Sequence, residues 1–192
     1  MKSTLAKLAT AALAAAPAVA LGLAPSVAGA AGTSGHVTES MRLITGHMDG
    51  RSGWPKITNS SWTVHKGERV TVKITSYDDG TAPLTGQYMK YDKVLGATTG
   101  KETVNGKPVT TVSDINIAHT FTVPGLGFNM PIPVAPTGGA ITVVATFVAK
   151  KTGTFVWHCY APCGSGATGM AGAMTTMGWM TGKVTVVRWA MT

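Results

Sequence analysis

Within residues 62–77, Val70, Val72 and Ile74 alternate with Thr71, Lys73 and Thr75. Period two places one row of side chains on a core and the other toward water, so the run predicts a half-buried strand after the turn-forming Lys66-Gly67-Glu68. Similar runs at 117–123, 141–148, 154–159 and 183–189 predict four more strands, with Pro124-Gly125, Gly138-Gly139 and Lys151-Thr152-Gly153 as turns between them. Short strands at this spacing predict a single all-β domain, an antiparallel β-sandwich. An insertion at about 78–114 interrupts it; there Asn105-Gly106 marks the tip of a hairpin over 102–109. Residues 31–56 form an N-terminal segment with one edge strand at 41–48, ahead of the main domain at 57–192.

The first 30 residues follow another pattern. Lys2 and Lys7, the Ala/Leu-rich stretch over 8–23 and the small residues Ala28-Gly29-Ala30 have the layout of a secretory signal peptide cleaved after Ala30. Pro17, Pro25 and the low bulk of alanine disfavour a retained anchor. No later apolar run reaches membrane-spanning length, so the expected product is a secreted or otherwise extracytoplasmic protein in an oxidising compartment.

Composition narrows the classes further. A chain that is 44% hydrophobic and 12% charged can build a core, which excludes disorder, while 24 glycines and 10 prolines disfavour a helical bundle. The formal charge of +8 is thinly spread, with Lys150-Lys151 the one adjacent pair, and Lys2 and Lys7 leave with the signal peptide. Without a basic stripe there is nothing to follow a phosphate backbone, so nucleic acid is excluded as a partner. A redox partner protein with an acidic surface fits the charge.

The chain has two cysteines, Cys159 and Cys163. Strand alternation puts Phe155, Trp157 and Cys159 on the inward face and His158 on the other. A thiolate at the rim of a sandwich, met by an imidazole from a neighbouring strand, is a donor set for a soft copper ion, and His119 begins such a strand.

His119 followed by Thr-Phe-Thr-Val-Pro and Leu126-Gly127, then Gly153-Thr154-Phe155 leading to Cys159, then Met180-Thr181-Gly182-Lys183-Val184-Thr185-Val186, together resemble the cupredoxin family. The run from Val64 to Val72 is similar to the opening strands of that fold. The resemblance covers about 62–187 apart from the insertion, and implies a cupredoxin-like antiparallel Greek-key β-sandwich holding copper. The run from His119 to Phe128 and two cysteines separated by three residues look most like the copper domain of cytochrome oxidase subunit II. That likeness implies His119, Cys159, Cys163, the Ala161 carbonyl and Met170 as ligands. Where that domain has its second histidine, this chain has Ala167. Likeness to small blue copper proteins such as plastocyanin implies Met180 as the thioether instead. Both registers expect a histidine after Cys159, and none follows His158.

The loop holds Met170, Met174, Met177 and Met180 among five glycines. Thioethers favour Cu(I), so such a loop could hold reduced copper without a second imidazole; equally, methionines fill irregular gaps over the end of a sandwich. The cysteines divide the same way, between ligation and a disulfide. His36, His47 and His65 read as solvated. The Trp157-His158-Cys159 segment is similar to one in multicopper oxidases, but the paired His-x-His motifs of those enzymes are absent, and no Gly-x-Ser-x-Gly elbow occurs. The chain therefore reads as a copper-binding protein for electron transfer or Cu(I) carriage, not an enzyme, with His119, Cys159, Cys163 and either Met170 or Met180 at the metal. The alternative is a metal-free sandwich module closed by a Cys159–Cys163 disulfide.

Overall fold

The structure, a computed structural model, describes residues 35–166 and 169–190. The signal-peptide assignment and Ala167 lie outside the described residues. Among those described, no helix is long and apolar enough to cross a membrane.

Two sheets face each other across one core. The first contains β1 (His36–Ile44), β2 (Lys56–Ile57), β4 (Arg69–Ser76), β5 (Glu102–Val104), β6 (Lys107–Val109) and β9 (Ile141–Val148), in the order β2-β1-β4-β9-β5-β6. The second contains β3 (Ser61–His65), β7 (Ile117–Val123), β8 (Phe128–Pro133), β10 (Gly153–His158) and β11 (Thr181–Val187), in the order β3-β11-β10-β7-β8. This is the expected all-β sandwich with a hairpin insertion.

Alternation produces the buried face as expected: Val70, Val72 and Ile74 are fully buried, while Arg69 and Lys73 are exposed. The run over 62–77 is nevertheless two strands in different sheets. The chain crosses at Gly67, whose φ of +91° favours a residue without Cβ. The sheets are also mixed, not wholly antiparallel, because β1 runs parallel to β4 and β3 parallel to β11. Short hairpins force reversal, whereas strands reached by crossing between sheets are free to pair in parallel.

The N-terminal strand begins earlier than its hydrophobic pattern indicates and is not at the edge. It lies between β2 and β4, in register from His36 opposite Arg69 to Leu43 opposite Ser76. β8 escaped the sequence reading because Pro131 and Pro133 disguise it. It sits at the edge of its sheet, where a missing N–H is tolerated.

The insertion does more than decorate. Its hairpin turns at Asn105 and Gly106, both at positive φ, and extends the first sheet beyond β9. Its other arm covers the outer face of β7, whose seven residues are all buried. Thr122 there donates to Asn129 Oδ1 at 2.6 Å, and the Asn129 amide donates to the Tyr91 and Lys93 carbonyls at 2.9 and 2.6 Å. Those bonds compensate for burying a polar face. On the inner face Phe121 meets Trp157 and Phe128, with ring centroids at 4.8 and 6.3 Å.

Gly182 lies opposite Trp157 in the β10–β11 ladder. A Cβ there would run into the Ser60 carbonyl and Trp157 Nε1, the two ends of a 2.7 Å hydrogen bond. Gly182→Ala is therefore expected to cost about 1–3 kcal/mol by overpacking and to lower Tm by roughly 3–10 °C. Thermal unfolding followed by circular dichroism measures this, and an unchanged Tm would show that the β3–β11 seam gives way freely.

Candidate metal centre

Strand pairing assembles the site. β10 lies against β7, with His158 opposite Thr122, so Cys159 emerges at the end of β10 beside the start of β7. A register irregularity between Ile117 and His119 falls at that point of β7, where a bulge can re-aim a side chain. From His119 onward the register is regular, so alternation puts His119 on the inner face with Phe121 and Thr120 on the other. The His119 Nδ1 is 3.8 Å from Cys159 Sγ. Cys159 Sγ is 3.1 Å from Cys163 Sγ, and the pair is unbonded. Cys163 Sγ is in turn 3.2 Å from Met174 Sδ, and the Ala161 carbonyl oxygen is 3.6 Å from Cys159 Sγ. One donor atom from each of His119, Cys159 and Cys163 lies within 4.8 Å of the others. His119 is 1% and Cys159 2% exposed, and Cys163 and Met174 are also buried.

The other ring nitrogen of His119 is taken. Nε2 lies 2.8 Å from Asp78 Oδ2, so the Nε2–H donates to the carboxylate and Nδ1 faces the sulfurs. A carboxylate behind an imidazole fixes ring and tautomer and raises basicity, the arrangement found behind metal-bound histidines. Burial disfavours a charged ring, yet Asp78 on one side and Cys159 on the other raise the His119 pKa to about 9. Burial likewise pushes the Cys159 thiol up. Hydrogen bonds to Cys163 and His119, the His119 charge and the Thr120 N–H at 3.3 Å outweigh it and hold Cys159 well below the ordinary thiol range. Cys163 goes the opposite way, raised by burial and by the neighbouring Cys159. Burial also acts to raise Asp78, but the His119 bond and charge and the Gly80 N–H bring it below the ordinary carboxylate value. The two thiols are thus pushed apart, Cys159 toward giving up its proton and Cys163 toward keeping it. A cation arriving there replaces protons on the ligating groups.

Of the residues the sequence points to, the side chains of His119, Cys159 and Cys163 converge. Met180 is fully buried, and its carbonyl accepts the Cys159 N–H at 3.1 Å. Met170 is half-buried and lines a crevice that also reaches Cys159. Met174, on the 3-10 helix Gly172–Met174, also brings a thioether into contact with Cys163. Family spacing pointed to 170 and 180, and a helix of three residues in a glycine-rich loop leaves no periodic signature. Gly172 makes that helix fit: its φ is +57°, and a Cβ there would meet Ser165 Oγ and the Trp54 ring. Arg51 in turn lies 3.2 Å over Trp54, which meets Trp179 edge-on at 5.1 Å. Asp78 was missed as well, being 41 residues before its histidine at the start of the insertion. Its one local signal is the Asp78-Asp79-Gly80 turn, in which Gly80 N–H donates to Asp78 Oδ1 at 2.9 Å.

The remaining histidines stand elsewhere. His36 bonds Thr71 at 2.8 Å and His65 stacks on Trp189 at 3.9 Å. His158 points away from the cluster, its Nδ1 3.2 Å from Thr181 Oγ1, as strand alternation requires. Tyr160, next to Cys159, makes stacked contacts with Tyr91 at 4.6 Å and Tyr88 at 5.1 Å, both from the insertion.

No protein-family description and no curated protein matches this sequence. Among solved structures the chain is similar to reduced rusticyanin, at 14% identity and a TM-score of 0.38, over 79% of each chain. It is similar to rusticyanin from Thiobacillus ferrooxidans at 14% and 0.39, over 79% of this chain and 77% of that one. A third likeness, to a multi-copper oxidase from Pediococcus acidilactici, is at 10% and 0.33, over 82% of this chain and 27% of the oxidase. A shared activity does not follow from identities and scores this low, and the chemistry of the site must carry the functional reading.

Proposed function

We propose that this is an exported, cupredoxin-like copper-binding protein, a carrier and not an enzyme, holding one copper ion between His119, Cys159, Cys163 and Met174. The observation that carries this reading is the convergence of one imidazole nitrogen and three sulfurs in a buried pocket. That donor set matches the softness of copper, and above all of Cu(I). Zinc with these cysteines would want a further nitrogen or sulfur, for which a thioether is a poor substitute. A dinuclear centre like that of cytochrome oxidase subunit II would need a second imidazole, and among the described residues one histidine belongs to the cluster.

Three sulfurs among four donors favour holding Cu(I). The buried site, with Asp78 fixing the His119 ring, favours the second reading, electron transfer, because ligands that move little keep reorganisation small. Copper would supply a one-electron couple there. This chain's residues position it, keep water out and balance its charge, and a redox partner would dock outside. Metal analysis with thiol titration of the protein from its native compartment tests the proposal. Copper near one equivalent per chain is expected. An intense visible thiolate band on oxidation marks the electron carrier, and colourless binding marks the Cu(I) carrier. Absence of copper together with an intact Cys159–Cys163 disulfide would replace both with the metal-free module.

Asp78→Asn is expected to weaken copper binding about 10–100-fold, the usual cost of losing the carboxylate behind a ligating histidine. Competition against a chromophoric Cu(I) chelator measures it, and unaltered affinity would remove Asp78 from the site.

A further inference from the structure

The buried cluster approaches the surface along two crevices. One, of about 170 Å³, reaches His119 and Cys163 past Asp78 and is lined otherwise by glycine, proline and other non-thioether residues. The other, of about 490 Å³, reaches Cys159 and contains Met170, Met174, Met177 and His158. Thioethers in this second crevice form a gradient from water to metal site. Met177 is 48% exposed, Met170 is half-buried, and Met174 is buried against Cys163. An exposed methionine gains little from packing, and the loop's glycines allow it to move.

Resting on the copper reading above, we propose that this crevice is a loading port that takes up Cu(I) at Met177 and hands it inward to Cys159 and Cys163. Cu(I) is the form delivered, because thioethers bind it and hold Cu(II) poorly. The metal keeps its oxidation state, so no electron moves. Each copper–thioether bond broken is replaced by a copper–thiolate bond, and any protons that the ligating groups give up leave to water. Met177 is a positioning residue in transit and not a ligand of the final site, so it governs the rate of uptake and leaves the equilibrium unchanged.

The test uses the full mature chain, reduced and metal-free, mixed in stopped flow with Cu(I) held by a chromophoric chelator. Met177→Leu, which keeps the apolar bulk and removes the sulfur, is expected to slow uptake at least about tenfold while final affinity stays at the wild-type value. Thr175→Ala, in the same crevice without a sulfur, is the control and should load at the wild-type rate. Cu(I)- or Ag(I)-induced shifts of the Met177 methyl signal in the Cys159→Ser/Cys163→Ser variant give a second readout, because the port should capture metal even when the destination is gone. Wild-type protein that binds Cu(I) tightly while Met177→Leu loads equally fast, or an unmoved Met177 signal, overturns the port alone. Wild-type protein that takes up no Cu(I) overturns the copper reading and the port together.

Discussion

Cys159→Ser is expected to lower copper affinity by well over 100-fold and to abolish any visible thiolate-to-copper absorption. Loss of a residue behind a ligand costs about 10–100-fold, so loss of the central ligand must cost more. Cys159 is central by geometry: its sulfur touches His119, Cys163 and the Thr120 N–H, whereas Cys163 touches Cys159 and Met174. Hydrogen bonds and the neighbouring imidazole also hold the Cys159 thiol well below the ordinary range while Cys163 is raised, so Cys159 gives up its proton to a cation more readily. Serine offers a hard oxygen that stays protonated. Cys163→Ser keeps the principal thiolate and is expected to weaken binding less, leaving the absorption in place if the site cycles to Cu(II). Competition titrations and visible spectra on both variants measure the contrast, with circular dichroism showing that each is folded. Tight, coloured copper binding by Cys159→Ser would place the metal elsewhere in the chain.

Most of what positions this site is readable in the chain because local pattern and tertiary role agree. Val70, Val72 and Ile74 alternate because β4 has one face on the core, and Phe155, Trp157 and Cys159 alternate because β10 delivers its last inward position to the cluster. The convergence of His119 with Cys159 depends on a resemblance to an ordered set of motifs, and the 3.8 Å separation agrees with it. What escaped depends on long-range packing. The insertion covers Thr120 and Thr122 and supplies Asn129 with carbonyl partners 36 and 38 residues away, which no local pattern shows. Parallel pairing of β1 with β4 cannot be read from either strand alone, since alternation is blind to direction. Asp78 and Met174 were hidden for the same reason: neither lies at a fixed spacing from the residue it serves, and the insertion that holds Asp78 read as ornament.

The insertion also carries a carboxyl group whose cost is measurable. Glu102 on β5 is 1% exposed, and neither side-chain oxygen has a hydrogen-bond partner. Burial pushes its pKa up to about 9, from 4.5 in an open chain. The unfolded chain therefore releases this proton near pH 4.5, while the folded protein keeps it until about pH 9. Between those values folding takes up a proton, so the contribution of Glu102 is most favourable below about pH 4.5 and is lost progressively as pH rises toward 9. One pKa unit corresponds to about 1.4 kcal/mol, so this group alone can remove up to about 4 kcal/mol between pH 5 and 8. Glu102→Gln has no proton to lose. It is expected to match the wild type near pH 4.5 and to be more stable by about 2–4 kcal/mol at pH 8, in urea unfolding of the reduced, metal-free protein. His119, also raised to about 9, tilts stability in the same direction, but it is present in both proteins and cancels from their difference. Parallel stability profiles for the two proteins from pH 5 to 8 would mean that Glu102 is ionised and partnered in the folded chain. The large advantage of glutamine at high pH is the expected result, because a carboxylate cannot ionise in this pocket without giving up the solvation it enjoys in the open chain.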